Sequence, residues 1–239
     1  MTFAPLEPQE RRSLGTRVYE SIREGIVSLQ AEPGAMLYEN ELAQSLDVSR
    51  TPIREAIRML VGDKLIEVLP QRGTRIARIS LVQVGEARFV REQLETGAFR
   101  MAARMWKMED RSMIERRLTD ILANQRQAAE QGDMYRFLQE DEAFHRQIMG
   151  VAGNSILLNF VDQMRAHINR LRLLALRELR HVGPVLEEHT ELFDAVRQGE
   201  EERTVTILHS HIGKLEEELP LLIATYPHYF TDYEEERFR

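Results

Sequence analysis

The chain of 239 residues contains no cysteine. Disulfides and thiolate metal sites are thereby excluded. No apolar run approaches the roughly 18 residues that a membrane span needs. The opening residues, MTFAPLEPQERR, lack the apolar core of a signal peptide. A cytoplasmic protein with no membrane partner is the expectation. Basic charge is also scarce: 32 Lys and Arg stand against 39 Asp and Glu, a formal charge of −7. Such a balance argues against general nucleic-acid binding by the whole chain. What is present is apolar residue in quantity, 43% of the total. That is enough to core one large domain or two modest ones.

The charge is unevenly placed. Residues 1–79 carry eleven basic and eleven acidic side chains, so the entire deficit lies beyond them. Within 49–79 there are seven basic residues and three acidic, a local excess of four. A compact basic patch on an acidic chain suits contact with DNA at a small site.

That patch begins with SRTPIREAIRML, residues 49–60. Ser49, Arg50 and Thr51 set two hydroxyls and a guanidinium at a helix entrance. Pro52 falls in the first turn, where its missing N–H has no intrahelical partner to lose. Arg54 and Arg58 share one face, and Ile53, Ala56, Ile57 and Leu60 form the opposite, apolar one. Alone, the pattern also describes an ordinary amphipathic helix with solvated arginines. Its neighbours favour DNA reading. An apolar helical period runs through Leu14, Val18, Ile22, Ile26 and Leu29. A short helix follows over 39–46, with Leu42, Ala43 and Leu46 facing inward. After the patch helix come strands at 65–69 and 74–79, joined by a turn whose tip carries Arg72 beside flexible Gly73. Helix, helix, turn, helix and β-hairpin make a winged helix-turn-helix over 13–79.

From Ser80 onward the strand signal stops. Helical segments are expected at about 81–107, 111–131, 134–151, 156–179, 184–198 and 201–219, with Asp110, Asp133 and Ser155 placed as N-caps. The fold class is mainly α, with an all-helical bundle over 80–219. Residues 1–12 read as a flexible N-terminus. The tail, 220–239, holds Tyr226, Tyr229, Phe230, Tyr233 and Phe238. It reads either as docked on something, such as a partner subunit, or as a partly ordered extension.

Polar residues interrupt the bundle's apolar stripes. Asp141 and His145 fall among Phe137, Leu138, Phe144 and Ile148. His189 lies between Leu186 and Leu192, and His211 between Leu208 and Leu215. A lone histidine in a core is usually a hydrogen-bonded core residue. Four such groups on three helices also read as an N/O ligand set for one divalent cation, with zinc first and nickel or manganese as alternatives. The i,i+4 pair Asp141/His145 can chelate from a single helix face. The stripe Val84, Leu94, Ala98, Met101 and Met105 similarly includes Arg91 and Glu95. Glu95 is one partner for the arginine, and a bound carboxylate effector is the other. Asn154, just after the Asp/His helix, either lines the same cavity or serves only as a helix connection.

The runs Glu41-Leu42-Ala43, Val48-Ser49-Arg50-Thr51-Pro52-Ile53-Arg54-Glu55-Ala56, Leu65-Ile66 and Arg72-Gly73 resemble the winged helix of GntR-family regulators. The helical part resembles the FadR-type ligand-binding domain, FCD-type, in its metal-binding branch. Asp141, His145, His189 and His211 match that branch's ligand pattern. The resemblance implies a homodimeric transcription regulator on a palindromic double-stranded operator. It implies DNA contacts by Ser49, Arg50, Thr51 and Arg54, with Gly73 bringing the wing close to the backbone. It further implies a metal that helps hold a small organic acid, most simply in a repressor rather than an enzyme. A pure metal sensor and a metal-dependent hydrolase are the rival readings.

Overall fold

A computed structural model of the chain describes residues 13–179 and 182–231. The expected flexible segment 1–12 lies outside the described residues, as do Tyr233 and Phe238 of the tail. Two compact units emerge, one from residues up to 83 together with those from 225 onward, the other from 84–224.

In the first unit, α1 (Leu14–Val27) starts at Ser13, whose Oγ accepts the Thr16 N–H at 3.1 Å. It buries Val18, Ile22 and Ile26. Leu14, expected on the apolar face, is instead 43% exposed, because it opens the helix before the first full turn packs. Helix α2 (Glu39–Ser45) buries Leu42 and leads through Leu46 into a short turn, where Asp47 adopts φ 51°. Helix α3 (Arg50–Gly62) buries Pro52, Ile53, Ala56, Ile57 and Leu60. The period of its apolar residues therefore sets which side faces the core and which carries Arg50, Arg54 and Arg58 outward.

Strands β2 (Ile66–Leu69) and β3 (Gly73–Ile76) pair antiparallel with Ile66 opposite Ile76 and Leu69 opposite Gly73. Gly73 holds φ +102° at the hairpin tip, a conformation that L side chains rarely adopt. A further strand, β1 (Met36–Leu37), pairs with β3 and gives the sheet order β1-β3-β2. Two residues are too few to show a strand period, so the sequence did not reveal it. The expected strand over 74–79 stops at Ile76. Beyond it, Ile79 pairs with the chain's own tail: its N–H donates to the Tyr229 carbonyl at 2.8 Å, and the Thr231 N–H donates to the Ile79 carbonyl at 3.2 Å. Phe230 is buried beside this bridge. The described part of the aromatic tail thus packs on its own chain's winged unit, rather than extending freely.

The second unit contains α4 (Leu81–Met105) from Val84 on, α5 (Ser112–Gln131), α6 (Met134–Gly150), α7 (Ser155–Leu179), α8 (Val182–Gln198) and α9 (Glu201–Thr225) up to Ala224. Asp133 caps α6 through the Arg136 N–H at 3.0 Å. Asp110 accepts the Ser112 N–H at the entrance to α5. The cap of α7 is Asn154, not Ser155: Asn154 Oδ1 accepts the Leu157 N–H at 3.1 Å. Helix α9 runs past the expected end at 219. Pro220 costs it one backbone hydrogen bond, and the fully buried Leu222 anchors the turn beyond. On α4 the buried stripe runs through Val84, Ala87, Arg91, Glu95, Ala98, Phe99, Ala102 and Ala103. Met101, read as part of that stripe, is 47% exposed. The core gathers Phe99, Trp106, Phe144, Ile148, Leu192, Val196 and Leu208. Among the described residues, no helix is long and apolar enough to cross a membrane.

Candidate functional site

The surface of the winged unit carries the first group of expected residues. Ser49, Arg50, Thr51 and Arg54 are all exposed at the start of α3, and Arg72 and Gly73 are exposed at the hairpin tip. Ser49 stands at the N-cap, yet its side chain makes no capping hydrogen bond. Glu39, in the first turn of α2, organises the arginines. Its Oε2 accepts from Arg50 Nη2 at 3.1 Å and from Arg54 Nε at 2.9 Å. Those two guanidiniums, Arg54 foremost, pull the Glu39 carboxyl below its usual range. Surface pairs of this kind contribute only about 0.2–1 kcal/mol each. Their consequence is orientation: two cationic forks are held on one exposed face at the positive end of a helix. Sequence reading missed Glu39, because nothing in a short helix marks an acid eleven residues from its partner.

The buried centre of the helical unit carries the second group. Helix α6 presents Asp141 and His145 one turn apart, α8 presents His189, and α9 presents His211. All four are buried. One ligand-capable atom from each lies within 4.8 Å of the others. His145 Nε2 and His211 Nε2 are 3.2 Å apart. His189 Nε2 is 3.2 Å from Asp141 Oδ1.

Each imidazole is oriented from behind by an acceptor. Glu95 Oε2 faces His145 Nδ1 at 2.8 Å, Gln125 Oε1 faces His189 Nδ1 at 2.9 Å, and Glu188 Oε2 faces His211 Nδ1 at 3.0 Å. Carboxylate and amide oxygens can only accept, so every Nδ1 is the donor. Burial pushes His145 down to about 3, against the pull of Glu95. Burial likewise pushes His211 down to about 4, against Glu188. Both rings are therefore neutral near pH 7, and each Nε2 faces inward as a bare lone pair. Asp141 supplies another acceptor. Burial alone would raise its carboxyl, but Arg172, His189 and His145 hold it well below the usual range. Arg172 Nη2 comes within 2.6 Å of Asp141 Oδ2. Even so, neither Asp141 oxygen nor His189 Nε2 has a partner with hydrogen-bond geometry. Acceptors thus converge with the Arg172 guanidinium beside Asp141 and no well-formed hydrogen bond at Asp141 or His189 Nε2. Each such buried group, left unsatisfied, costs about 1–3 kcal/mol. A cation is what this donor set lacks, and the outward hydrogen bonds from each Nδ1 are the arrangement that metal-binding imidazoles use.

Arg91 lies against the same centre. It donates to Glu95 from Nε at 2.8 Å and from Nη2 at 3.4 Å, and both side chains are buried. Burial tends to raise the Glu95 carboxyl, but Arg91, His145 and Arg165 together hold it well below its usual range. Arg91 also lines a cavity of about 500 Å³ that His211 and Arg172 border. Asn154 does not line that cavity. It is exposed and engaged as the α7 cap. Sequence reading missed Gln125, Glu188 and Arg172. Gln125 carried a legible signal, a polar residue on the buried stripe that includes Leu118 and Ala128. Glu188 and Arg172 carried none.

A winged helix-turn-helix with a cationic reading helix, joined in sequence to a helical unit with a buried polar centre, defines a DNA-binding transcription regulator. Comparison with known proteins makes the class specific. Residues 14–76 match the family model described as bacterial regulatory proteins, gntR family. Residues 86–214 match the FCD domain model. A Streptomyces ambofaciens protein, described as an uncharacterized HTH-type transcriptional regulator in an unstable DNA locus, is 32% identical over 213 residues, covering 89% of this chain and 88% of that one. The HTH-type transcriptional repressor RspR of Escherichia coli K12 is 28% identical over 204 residues, covering 84% and 86%. The solved structure of E. coli McbR/YncC has the same fold, with a TM-score of 0.76 at 22% identity, covering 90% of this chain and 99% of that one. The chain belongs to the GntR family of bacterial transcriptional regulators and carries an FCD domain. It is a DNA-binding regulator, not an enzyme.

Proposed function

We propose that the protein is a metal-containing repressor that leaves its operator when a small carboxylate binds the helical domain. The carrying observation is the buried set of Asp141, His145, His189 and His211, whose inward atoms converge as acceptors and, at Asp141 and His189, make no well-formed hydrogen bond. One oxygen and three imidazole nitrogens suit a divalent cation of borderline character, zinc before nickel or manganese. When bound, the ion supplies positive charge and open coordination positions for an acid. Glu95, Gln125 and Glu188 hold the rings in the tautomer that leaves each Nε2 free to ligate. Arg91 and Arg172 place guanidinium donors at the cavity border, where a carboxylate is recognised in two-point fashion.

The protein acts as a homodimer on a palindromic operator. Its two α3 helices enter major grooves one helical turn, about 34 Å, apart. Arg50 and Arg54 supply phosphate and base-edge contacts, joined by the hydroxyls of Ser49 and Thr51. Arg72 and Gly73 bring the wing to the backbone. Relatives named as repressors, RspR among them and the gluconate operon repressor of Bacillus subtilis, support repression. The effector acts only through its different affinity for the DNA-competent and DNA-incompetent states. The test is fluorescence anisotropy on DNA from the protein's own promoter, using zinc-loaded full-length chain. Tight, salt-dependent binding that carboxylates loosen supports the proposal. Release by chelation alone, with carboxylates inert, makes the protein a metal sensor instead.

A further inference from the structure

The cavity beside the buried centre has walls of unequal chemistry along its length. At one end stand Arg91, Arg172 and His211. From Arg172 the α7 wall continues through Ala175, Leu176 and Leu179, and from His211 the α9 wall continues through Leu215 to Leu221. Seven residues of helix separate Arg172 from Leu179, a run of roughly 10 Å. Over that run the hydrocarbon wall offers a ligand no donor or acceptor. Arg91 and Arg172 are paired with the buried centre itself, through Glu95 and Asp141, and the other cations on the lining are engaged with other acids. Arg88 pairs with Glu92 at 3.4 Å and with Glu216, and Lys214 pairs with Glu188. Beyond Leu215 the lining carries Glu217 and Glu218. Their charge repels a second carboxylate at that end.

We propose that this cavity takes a monocarboxylate with an apolar aliphatic or aryl body of about six to eight carbons, a length matched to the roughly 10 Å apolar run. The proposal rests on the reading that an acid effector controls the protein, and it names the class of that acid. The head group lies among Arg91, Arg172 and His211. The body lies along Leu176, Leu179 and Leu215, where each methylene leaves water for a hydrocarbon contact. A polyhydroxylated acid would bury hydroxyls against those leucines without partners. A dicarboxylate would set its second charge toward Glu217 and Glu218. The volume of about 500 Å³ lies within the range of small-molecule sites.

Isothermal titration of zinc-loaded, full-length protein with octanoate, 3-phenylpropionate, gluconate and succinate tests this. Octanoate and 3-phenylpropionate should saturate at one per chain and bind at least tenfold more tightly than gluconate or succinate. Leu176→Gln and, separately, Leu215→Gln should each weaken octanoate about tenfold, in variants whose thermal unfolding matches the parent. Arg172→Gln should abolish binding of all the acids. Tighter binding of gluconate or succinate overturns the apolar-body class and leaves the acid-effector reading standing. Octanoate affinity indifferent to both leucine variants places the acid elsewhere and also overturns it. If no acid binds, the acid-effector reading itself fails.

Discussion

Acid should loosen the helical unit in a way that its buried histidines dictate. In the folded chain His145 titrates at about 3 and His211 at about 4, both depressed chiefly by burial. Unfolded, each returns to about 6.5. A depressed folded value means that stability is fully present above the unfolded pKa and is lost as pH falls toward the folded one. At pH 5 the unfolded chain gains about 2 kcal/mol of protonation free energy at each ring, which the folded chain does not share. The two together cost about 4 kcal/mol, a large part of the 5–15 kcal/mol typical of a domain. Asp141 and Glu95 are also held low, so they act in the same sense, below about pH 4.5. The assay is urea unfolding followed by far-ultraviolet circular dichroism, in chelator, at pH 7.5 and pH 5.0. A His145→Asn/His211→Asn double variant removes both rings and should lose most of the pH dependence. An equal loss in parent and variant would refute the reasoning, since other groups would then be titrating.

Three further outcomes are expected. Arg50→Ala should weaken operator binding by about 1–3 kcal/mol, roughly 5- to 150-fold. The far-ultraviolet spectrum should not change, since Arg50 is exposed and its Glu39 pair is a surface one; salt-matched anisotropy reads the loss. Gln125→Leu takes the hydrogen-bond partner from His189 Nδ1 and should lower zinc affinity about 10–100-fold by competition with a fluorescent chelator. Phe230→Ala empties a buried site beside Ile79 and should destabilise the winged unit by about 3–5 kcal/mol in thermal unfolding.

Much of this molecule was legible because its elements obey one period each. The repeat of apolar residues in α3 and α6 located both the core faces and the polar groups set among them. Asp141, His145, His189 and His211 stood out as departures from hydrocarbon at stripe positions, and they do converge. Features with no period were not legible. Strand β1 is two residues long, and its pairing with β3 is a property of the folded sheet. Pro220 reads locally as a stop, whereas Leu222 anchors the helix beyond it through tertiary packing. Met101 left the expected stripe because the register of α4 buries Phe99 and Ala102 instead. Tyr229 and Phe230 find Ile79 across about 150 residues of chain, a distance that no local pattern spans. The partners behind each imidazole come from three different helices, so their roles appeared only with the packed bundle.

The second unit's centre also explains why polar groups occupy a core at all. Without a metal ion, several acceptors face one another with only partial compensation from Arg172 at Asp141, and the bundle carries their cost. With one bound, the same atoms would become ligands, and the surrounding hydrogen bonds would keep them aimed. On the proposed reading, metal occupancy and fold stability would be linked, because an ion that binds only the folded chain stabilises it by mass action.

The most direct measurement is the metal content of the purified full-length chain by inductively coupled plasma mass spectrometry, for the parent and a His145→Ala/His189→Ala variant. One divalent ion per chain in the parent, lost in the variant, is the predicted result. A parent that stays empty after dialysis against zinc, or a variant that keeps its ion, would contradict the account.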